Sequence, residues 1–351
     1  MIRGIDIERL RGIRTAHLTD LLPLTVLVGP SGSGKSTILD ALLIATSGAP
    51  GDAIGRVIRR RAELPAGGPW LFERRHADAR IELHGDAQSR RSCSLSWTPH
   101  PAEDLVRKLP EREQNRRPIQ IDCDVDAHAG RFRSRTVISV SNQYVFDLQL
   151  RDDNSDRRQF QSEPGAWLCE PAAGATHEAL DRVYSRALRE GRLEGVVKLV
   201  RDVLDGVIDL RVETVEDDPV DRPILSLVFE HGTVPVAGAG SGVYALIRLA
   251  LDLAQLPGGM ALVEEPEIHQ HPAGIHRTAK VLLAAMRRGV QVVVSTHSLD
   301  LIDSLVAEAD ANDLERLCVM RVVLDEGTLR CSRYPGPMVV TARESLGEDL
   351  R

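Results

Sequence analysis

Four short groups of residues have the types and spacing to act on a phosphate. Gly29-Pro-Ser-Gly-Ser-Gly-Lys-Ser36 fits the pattern Gly-x-x-x-x-Gly-Lys-Ser/Thr at every constrained position. Its glycines let backbone N–H groups turn inward around an anion, and a helix starting at the end of the loop aims its positive pole at the same charge. The expected nucleotide contacts run through Gly29, Pro30, Ser31, Gly32, Ser33, Gly34, Lys35, Ser36 and Thr37. Among these, Lys35 suits the β and γ phosphates and the Ser36 hydroxyl suits Mg2+. Ala261-Leu-Val-Glu-Glu-Pro-Glu267 ends an apolar run in carboxylates, which places Glu264 at a magnesium shell and Glu265 at an attacking water. Val292-Val-Val-Ser-Thr-His297 ends another apolar run in an imidazole able to hydrogen-bond a γ phosphate or that water. Gly238-Ala-Gly-Ser-Gly242 opens a helix and is a second anion cradle, with Ser241 and Gly242 at its mouth. Two cradles in one chain make sense if the second closes over the nucleotide of a neighbour.

The elements that must position these groups follow from hydrophobic periodicity. Residues 2–13 alternate as a strand, and residues 24–28 form a short, fully apolar strand leading into the glycine-rich loop. A helix is expected over 37–46. Residues 51–75, rich in Gly, Pro and Arg, read as an irregular excursion. Alternating stretches at 79–83, 93–97, 119–125, 136–140 and 144–150 predict an antiparallel sheet inserted after the first helix. A polar passage over 151–175 precedes a helical block at 177–204 and strands at 210–215 and 224–229. The last third alternates helix and buried strand: 244–256, 261–263, 273–288, 290–295 and 299–308. That alternation marks a parallel sheet covered on both faces. Residues 332–351 read as an ordinary closing helix, with an interaction tail as the alternative. The fold class is therefore α/β. The expected organisation is a nucleotide-binding core of residues 1–50 and 210–351, an antiparallel β-rich lobe at 51–175 and a helical lobe at 176–209.

Composition narrows the partners. The 351 residues are 42% hydrophobic and carry a formal net charge of −7, so the chain as a whole is no polycation for coating nucleic acid. Arg56, Arg59, Arg60, Arg61, Arg74 and Arg75 form a local basic run, either a solvated face or a phosphate contact. Aromatics at 3% leave little for a base-stacking platform. The longest apolar runs fall well short of the roughly 20 residues that cross a bilayer, and the N-terminus lacks the pattern of a secretory signal. The cytoplasm is the expected address, without a membrane partner. Five cysteines without a Cys-x-x-Cys pair read as reduced thiols rather than a zinc or disulfide framework.

The four groups, in this order, resemble the ABC ATPase superfamily, and within it the soluble RecF-like and OLD-like branch. Ile7-Glu-Arg-Leu-Arg-Gly-Ile13 is similar to the opening strand of that branch, and Glu264-Glu-Pro-Glu-Ile-His-Gln-His-Pro272 to its acidic box. The resemblance implies a P-loop NTPase head of the ABC type that hydrolyses ATP with Mg2+, with Lys35 and Ser36 on nucleotide and metal. It implies Glu265 as base, Ser241 and Gly242 on the γ phosphate of a partner copy, and His297 as switch residue. Glu264 replaces the more frequent Asp. Too few residues follow His297 for the acidic nuclease domain of OLD proteins. The implied function is an ATP-driven switch, a homodimer around ATP acting on a separately encoded effector, or on DNA or RNA, in DNA maintenance or anti-phage defence. The alternatives are a transporter motor on a membrane partner, for which no coupling surface or Q-loop is assigned, and a binding module that barely turns ATP over.

Overall fold

The computed structural model describes residues 1–351 apart from 62, 87–89, 152–154, 163–164, 170–178, 215–222, 257 and 269. The strands among the described residues are β1 (Ile2–Leu10), β2 (Ile13–Leu18), β3 (Leu24–Val28), β4 (Asp78–Gly85), β5 (Arg91–Thr98), β6 (Ile119–Ala127), β7 (Gly130–Ile138) and β8 (Tyr144–Leu150). They continue with β9 (Ala166–Cys169), β10 (Asp209–Thr214), β11 (Pro223–Phe229), β12 (Gly232–Pro235), β13 (Met260–Glu264), β14 (Gln291–Ser295), β15 (Leu317–Asp325) and β16 (Thr328–Pro335). The fold is α/β with both parallel and antiparallel strand pairing. Two compact units are present. The first comprises Met1–Leu22, Gly29–Ala166 and Met320–Ser332, the second Pro23–Val28, Trp167–Val319 and Arg333–Arg351.

In the first unit the strands run in the order β8-β7-β6-β5-β4-β1-β2-β16. Every pair from β8 to β2 is antiparallel, and β16 joins β2 in parallel at Thr328 and Leu329. The expected strand over 2–13 is in fact two, broken at Arg11, where φ is 51°. Alternation along β1 buries Ile5 and Ile7 completely. The helix Lys35–Thr46 is buried nearly all round. Its Asp40 carboxylate accepts from Arg60 at 2.7 Å and pairs with Arg11 at 3.1 Å and, more distantly, Arg61 at 4.0 Å, so a buried charge is held among guanidinium groups.

The irregular excursion expected over 51–75 is corrected by a helix at Pro50–Arg59. Proline at its first turn and buried Ala53, Ile54, Val57 and Ile58 are ordinary helix signals. Gly51 and Gly55 mask them, and both are packing residues. A Cβ at Gly55 would stand 2.4 Å from the Tyr144 ring, and one at Gly51 2.5 Å from Ser134 Oγ. Only a bare backbone lets this helix lie so close to β7 and β8.

The second unit holds a parallel core, β3-β14-β13, with Leu27 beside Ser295 and Ser295 beside Glu264. All three strands are mainly apolar and buried along almost their whole length, as in a parallel sheet covered on both faces. β15 enters beside β3, with Cys318 Sγ 3.6 Å from Thr25 Oγ1. The helices Ser241–Ala254, Pro272–Arg287 and Leu299–Glu308 supply the apolar cover, Leu251, Leu282 and Leu301 being fully buried. The expected helical block at 177–204 is two helices, Leu180–Arg189 and Leu193–Val203, parted at Gly191 with φ 70°. Its first two residues, 177 and 178, lie outside the described residues. β10, β11 and β12 make a separate antiparallel sheet. Residues 317–331, unread in the sequence, lie in β15 and β16; of the closing stretch expected over 332–351, residues 332–335 instead finish β16, and the helix is the short Gly336–Val340 with a π turn to Ser345. No helix among the described residues is long and apolar enough to cross a membrane.

Candidate nucleotide site

The glycine-rich loop leaves the C-terminal end of β3 and belongs to the first unit. Gly29, Gly32 and Gly34 take φ values of 147°, 80° and 94°, all in the region that side chains disfavour. A Cβ at Gly29 would lie 2.2 Å from the Val322 carbonyl oxygen, so the loop passes too near β15 for any larger residue. Ser33 N–H donates to the Pro30 carbonyl at 3.2 Å, closing the turn. Lys35 is buried, and its Nζ donates to the carbonyls of Gly29 at 2.8 Å and Pro30 at 3.1 Å. A buried ammonium is thus folded over the concave side of the loop, where an anion would compete for it. The helix Lys35–Thr46 has Gly34 at its N-cap, no side-chain cap and no acid in its first turn. Its first N–H groups receive nothing from a capping side chain, the state that favours a bound phosphate.

In the second unit, β13 and β14 end side by side in Glu264 and Ser295. Just beyond, Glu265 sits at φ 44°, left-handed for a non-glycine residue, with its N–H donating to the Ser295 carbonyl at 2.8 Å. That conformation costs of order 1–3 kcal/mol and persists where surroundings impose it. His297 Nε2 lies 3.2 Å from Glu265 Oε1. The two residues come from different strand ends, and the pair is half-buried. A carboxylate in contact with an imidazole can take a proton from a water and keep a defined orientation while doing so.

The sequence reading gave no role to Glu267, which organises this corner. Its Oε1 accepts from Thr296 Oγ1 at 2.6 Å and from the His297 backbone N–H at 2.8 Å. Thr296 N–H in turn donates to the Leu27 carbonyl at 3.0 Å. Glu267 therefore ties the turn after β13 to the segment after β14, and that segment to β3. The third acid of Glu-Glu-Pro-Glu was the available signal; its partner, a backbone N–H some thirty residues on, was not.

The helix Ser241–Ala254 begins after Gly240 at φ 94°, again with no side-chain cap and no acid in its first turn. Ser241 is exposed and Gly242 half-buried. Gln270 Nε2 donates to the Gly242 carbonyl at 3.2 Å, linking the start of this helix to the segment downstream of the acidic turn. His269 of the expected acidic box lies outside the described residues. Within its unit, then, the structure brings Glu265 and His297 together and puts Glu264 one residue away, while Ser241 and Gly242 form a second bare helix start.

The arginine run is largely engaged within the first unit. Arg60 meets Asp40, Arg56 pairs with Asp52, Arg59 lies 5.8 Å from the Tyr144 ring centroid, and Arg75 stacks 4.1 Å over Trp70. Arg56, Arg59, Arg61, Arg74 and Arg75 nevertheless stay exposed, so these local contacts are made on a solvated face.

Two solved structures are similar to the chain over nearly all its length. One, the "Crystal structure of the SmcHead bound to the C-winged helix domain of ScpA", is 13% identical with a TM-score of 0.52, covering 95% of this chain and 98% of that one. The other, the "Crystal structure of the Smc head domain with an extended coiled coil bound to the C-terminal domain of ScpA derived from Pyrococcus furiosus", is 14% identical with a TM-score of 0.50, covering 99% of each. At these identities the likeness is one of fold, the ABC-type P-loop ATPase fold of Smc heads. No curated protein matches the chain. Residues 24–303 match the family described as "AAA domain, putative AbiEii toxin, Type IV TA system", and the chain belongs to that family.

Proposed function

We propose that this protein binds ATP with magnesium and hydrolyses it, two copies closing head to tail around the nucleotide and reopening after cleavage. The observation that carries the proposal is the Glu265–His297 contact of 3.2 Å at the edge where β13 and β14 end, the edge from which β3 runs into the glycine-rich loop. In this reading Lys35 leaves the loop carbonyls for the β and γ phosphates, and the bare N–H groups of the Lys35–Thr46 helix receive the remaining phosphate oxygens. The Ser36 hydroxyl and a Glu264 carboxylate oxygen would hold the magnesium, a hard-oxygen pair suited to that ion. When bound, it neutralises charge on the β and γ phosphates. Glu265 accepts the proton of the attacking water, and His297 keeps Glu265 and that water oriented. Ser241 and Gly242, at the second uncapped helix start, receive the γ phosphate held by the partner copy.

The motifs support placement in the RecF-like and OLD-like branch. The output we propose is mechanical: the closing and opening of the pair is read by a separate effector protein or by nucleic acid, in DNA maintenance or anti-phage defence. Phosphate release and ATP-dependent dimerisation test the proposal together. Glu265→Gln should trap a dimer in ATP, and Lys35→Ala should abolish both hydrolysis and dimerisation. A Glu265→Gln protein that stays monomeric in saturating ATP, or a Lys35→Ala protein with unchanged turnover, overturns it.

A further inference from the structure

A second cluster of ligating side chains lies in the first unit, among residues the nucleotide reading does not use. Because β1 alternates, burying Ile5 and Ile7 directs Asp6 to the opposite, polar face. Strand register places Glu82 of β4 directly opposite Asp6 on one side and His17 of β2 directly opposite on the other. His84 stands opposite Gly4, which has no side chain, and its ring crosses to Asp6, with Nε2 2.7 Å from Oδ2. His17 Nδ1 contacts the other Asp6 oxygen, Oδ1. One ligating atom from each of Asp6, Glu82 and His84 lies within 4.8 Å of the other two.

We propose that Asp6, Glu82 and His84 form a binding site for a divalent transition-metal ion of the zinc class, with His17 as the outer partner that orients Asp6. Two carboxylates facing each other across a strand pair repel. The Arg80 guanidinium pairs with Glu82, and the His84 and His17 rings meet Asp6. A cation among the three ligands neutralises both. One imidazole and two carboxylates supply three ligands of the kinds zinc accepts, leaving a fourth position open to water. Tetrahedral zinc spaces its ligand atoms about 3.3 Å apart, inside the 4.8 Å that bounds the three ligating atoms, so His84 Nε2 and Asp6 Oδ2 would move slightly apart from 2.7 Å as the ion enters. The imidazole selects zinc, nickel or copper over magnesium, whose preference is for oxygen alone. Glu82 and His84 also border an open depression of about 370 Å³, shared with Arg90, Arg91, Ser92, Asp126 and His128. Bound there, the ion links β2, β1 and β4 across their polar face.

The test is calorimetric titration of the chelator-treated full chain with Zn2+ in excess Mg2+, with thermal melting in parallel. We expect a zinc-dependent rise in melting temperature and one zinc site that excess magnesium does not displace. His17→Gln should weaken that site roughly 10- to 100-fold, the usual cost of losing an outer partner, and His84→Ala and Asp6→Asn should weaken it further. His128→Ala, bordering the depression but outside the ligand set, should bind as the parent does. Zinc binding at parental affinity in either His84→Ala or Asp6→Asn overturns the proposal, as does displacement by magnesium or an absence of zinc binding. Asp6→Asn keeps the side-chain shape and stands as the decisive variant should His84→Ala fail to fold.

Discussion

Glu267 offers the sharpest test of how the corner beside β14 is built. Truncation to alanine removes one carboxylate oxygen that accepts two hydrogen bonds, from Thr296 Oγ1 at 2.6 Å and His297 N–H at 2.8 Å. Bonds to an ionised acceptor contribute about 1.5–3 kcal/mol each, giving an upper sum near 6 kcal/mol. His297 is half-buried, so water replaces part of its lost bond, whereas Thr296 is fully buried and its hydroxyl is left without that acceptor. We therefore expect Glu267→Ala to destabilise the second unit by about 2–4 kcal/mol. Glu267→Gln retains an oxygen at the same place and should cost about 1 kcal/mol, the difference between charged and neutral acceptors. Urea unfolding followed by far-UV circular dichroism gives the stabilities, and steady-state phosphate release gives the second readout. With His297 no longer anchored against Glu265, turnover should fall at least 10-fold in the alanine variant and much less in the glutamine variant. A Glu267→Ala protein that unfolds with the parent midpoint and turns over ATP normally refutes this account, as does a glutamine variant as impaired as the alanine.

Single-turnover hydrolysis by Glu265→Gln should slow about 10²- to 10⁴-fold, or ~2.7–5.4 kcal/mol of barrier, with ATP affinity kept; an equal loss in affinity would assign Glu265 to binding instead. Gly29→Ala forces a methyl to 2.2 Å from the Val322 carbonyl at φ 147°, and should cost roughly 1–3 kcal/mol in stability by thermal or urea melting and abolish nucleotide binding; a parental melt would contradict the close approach. Asp313 depends on pH. Burial alone would raise its carboxyl, but Arg287, at 2.5–3.2 Å, and the Asp310 backbone N–H outweigh burial and lower it. Its stabilising contribution is complete above the ordinary carboxyl value and disappears as pH falls through the lowered one. The stability gap between parent and Asp313→Asn should accordingly be widest near neutrality and close in acid, and a gap independent of pH would exclude the ion pair.

What could be read in advance divides by the range of the interactions involved. The glycine-rich loop was legible because its chemistry lies within eight consecutive residues, each constrained by phosphate geometry. The strands β13 and β14 were legible as apolar runs between helices, and the strand ends then brought Glu265 to His297. Glu267 and Gln270 were not, since their partners, His297 N–H and the Gly242 carbonyl, are chosen by tertiary folding. The Pro50–Arg59 helix was obscured by two glycines whose purpose is close packing on β7 and β8. In β15, Leu317-Cys-Val-Met is buried without alternation, a pattern a buried helix shares. The Asp6, Glu82 and His84 cluster spans more than seventy residues of chain and exists only through strand register.

The two helix starts without a side-chain cap, at Lys35 and Ser241, have a practical consequence for solution conditions. Sulfate or inorganic phosphate supplies the acceptors that no capping side chain provides there, and a ligand held only by the folded state raises its stability by mass action. Such buffer ions thus become competitors of the substrate. Nucleotide affinities measured in phosphate buffer should come out weaker than in a buffer of large organic anions, while the melting temperature moves the opposite way.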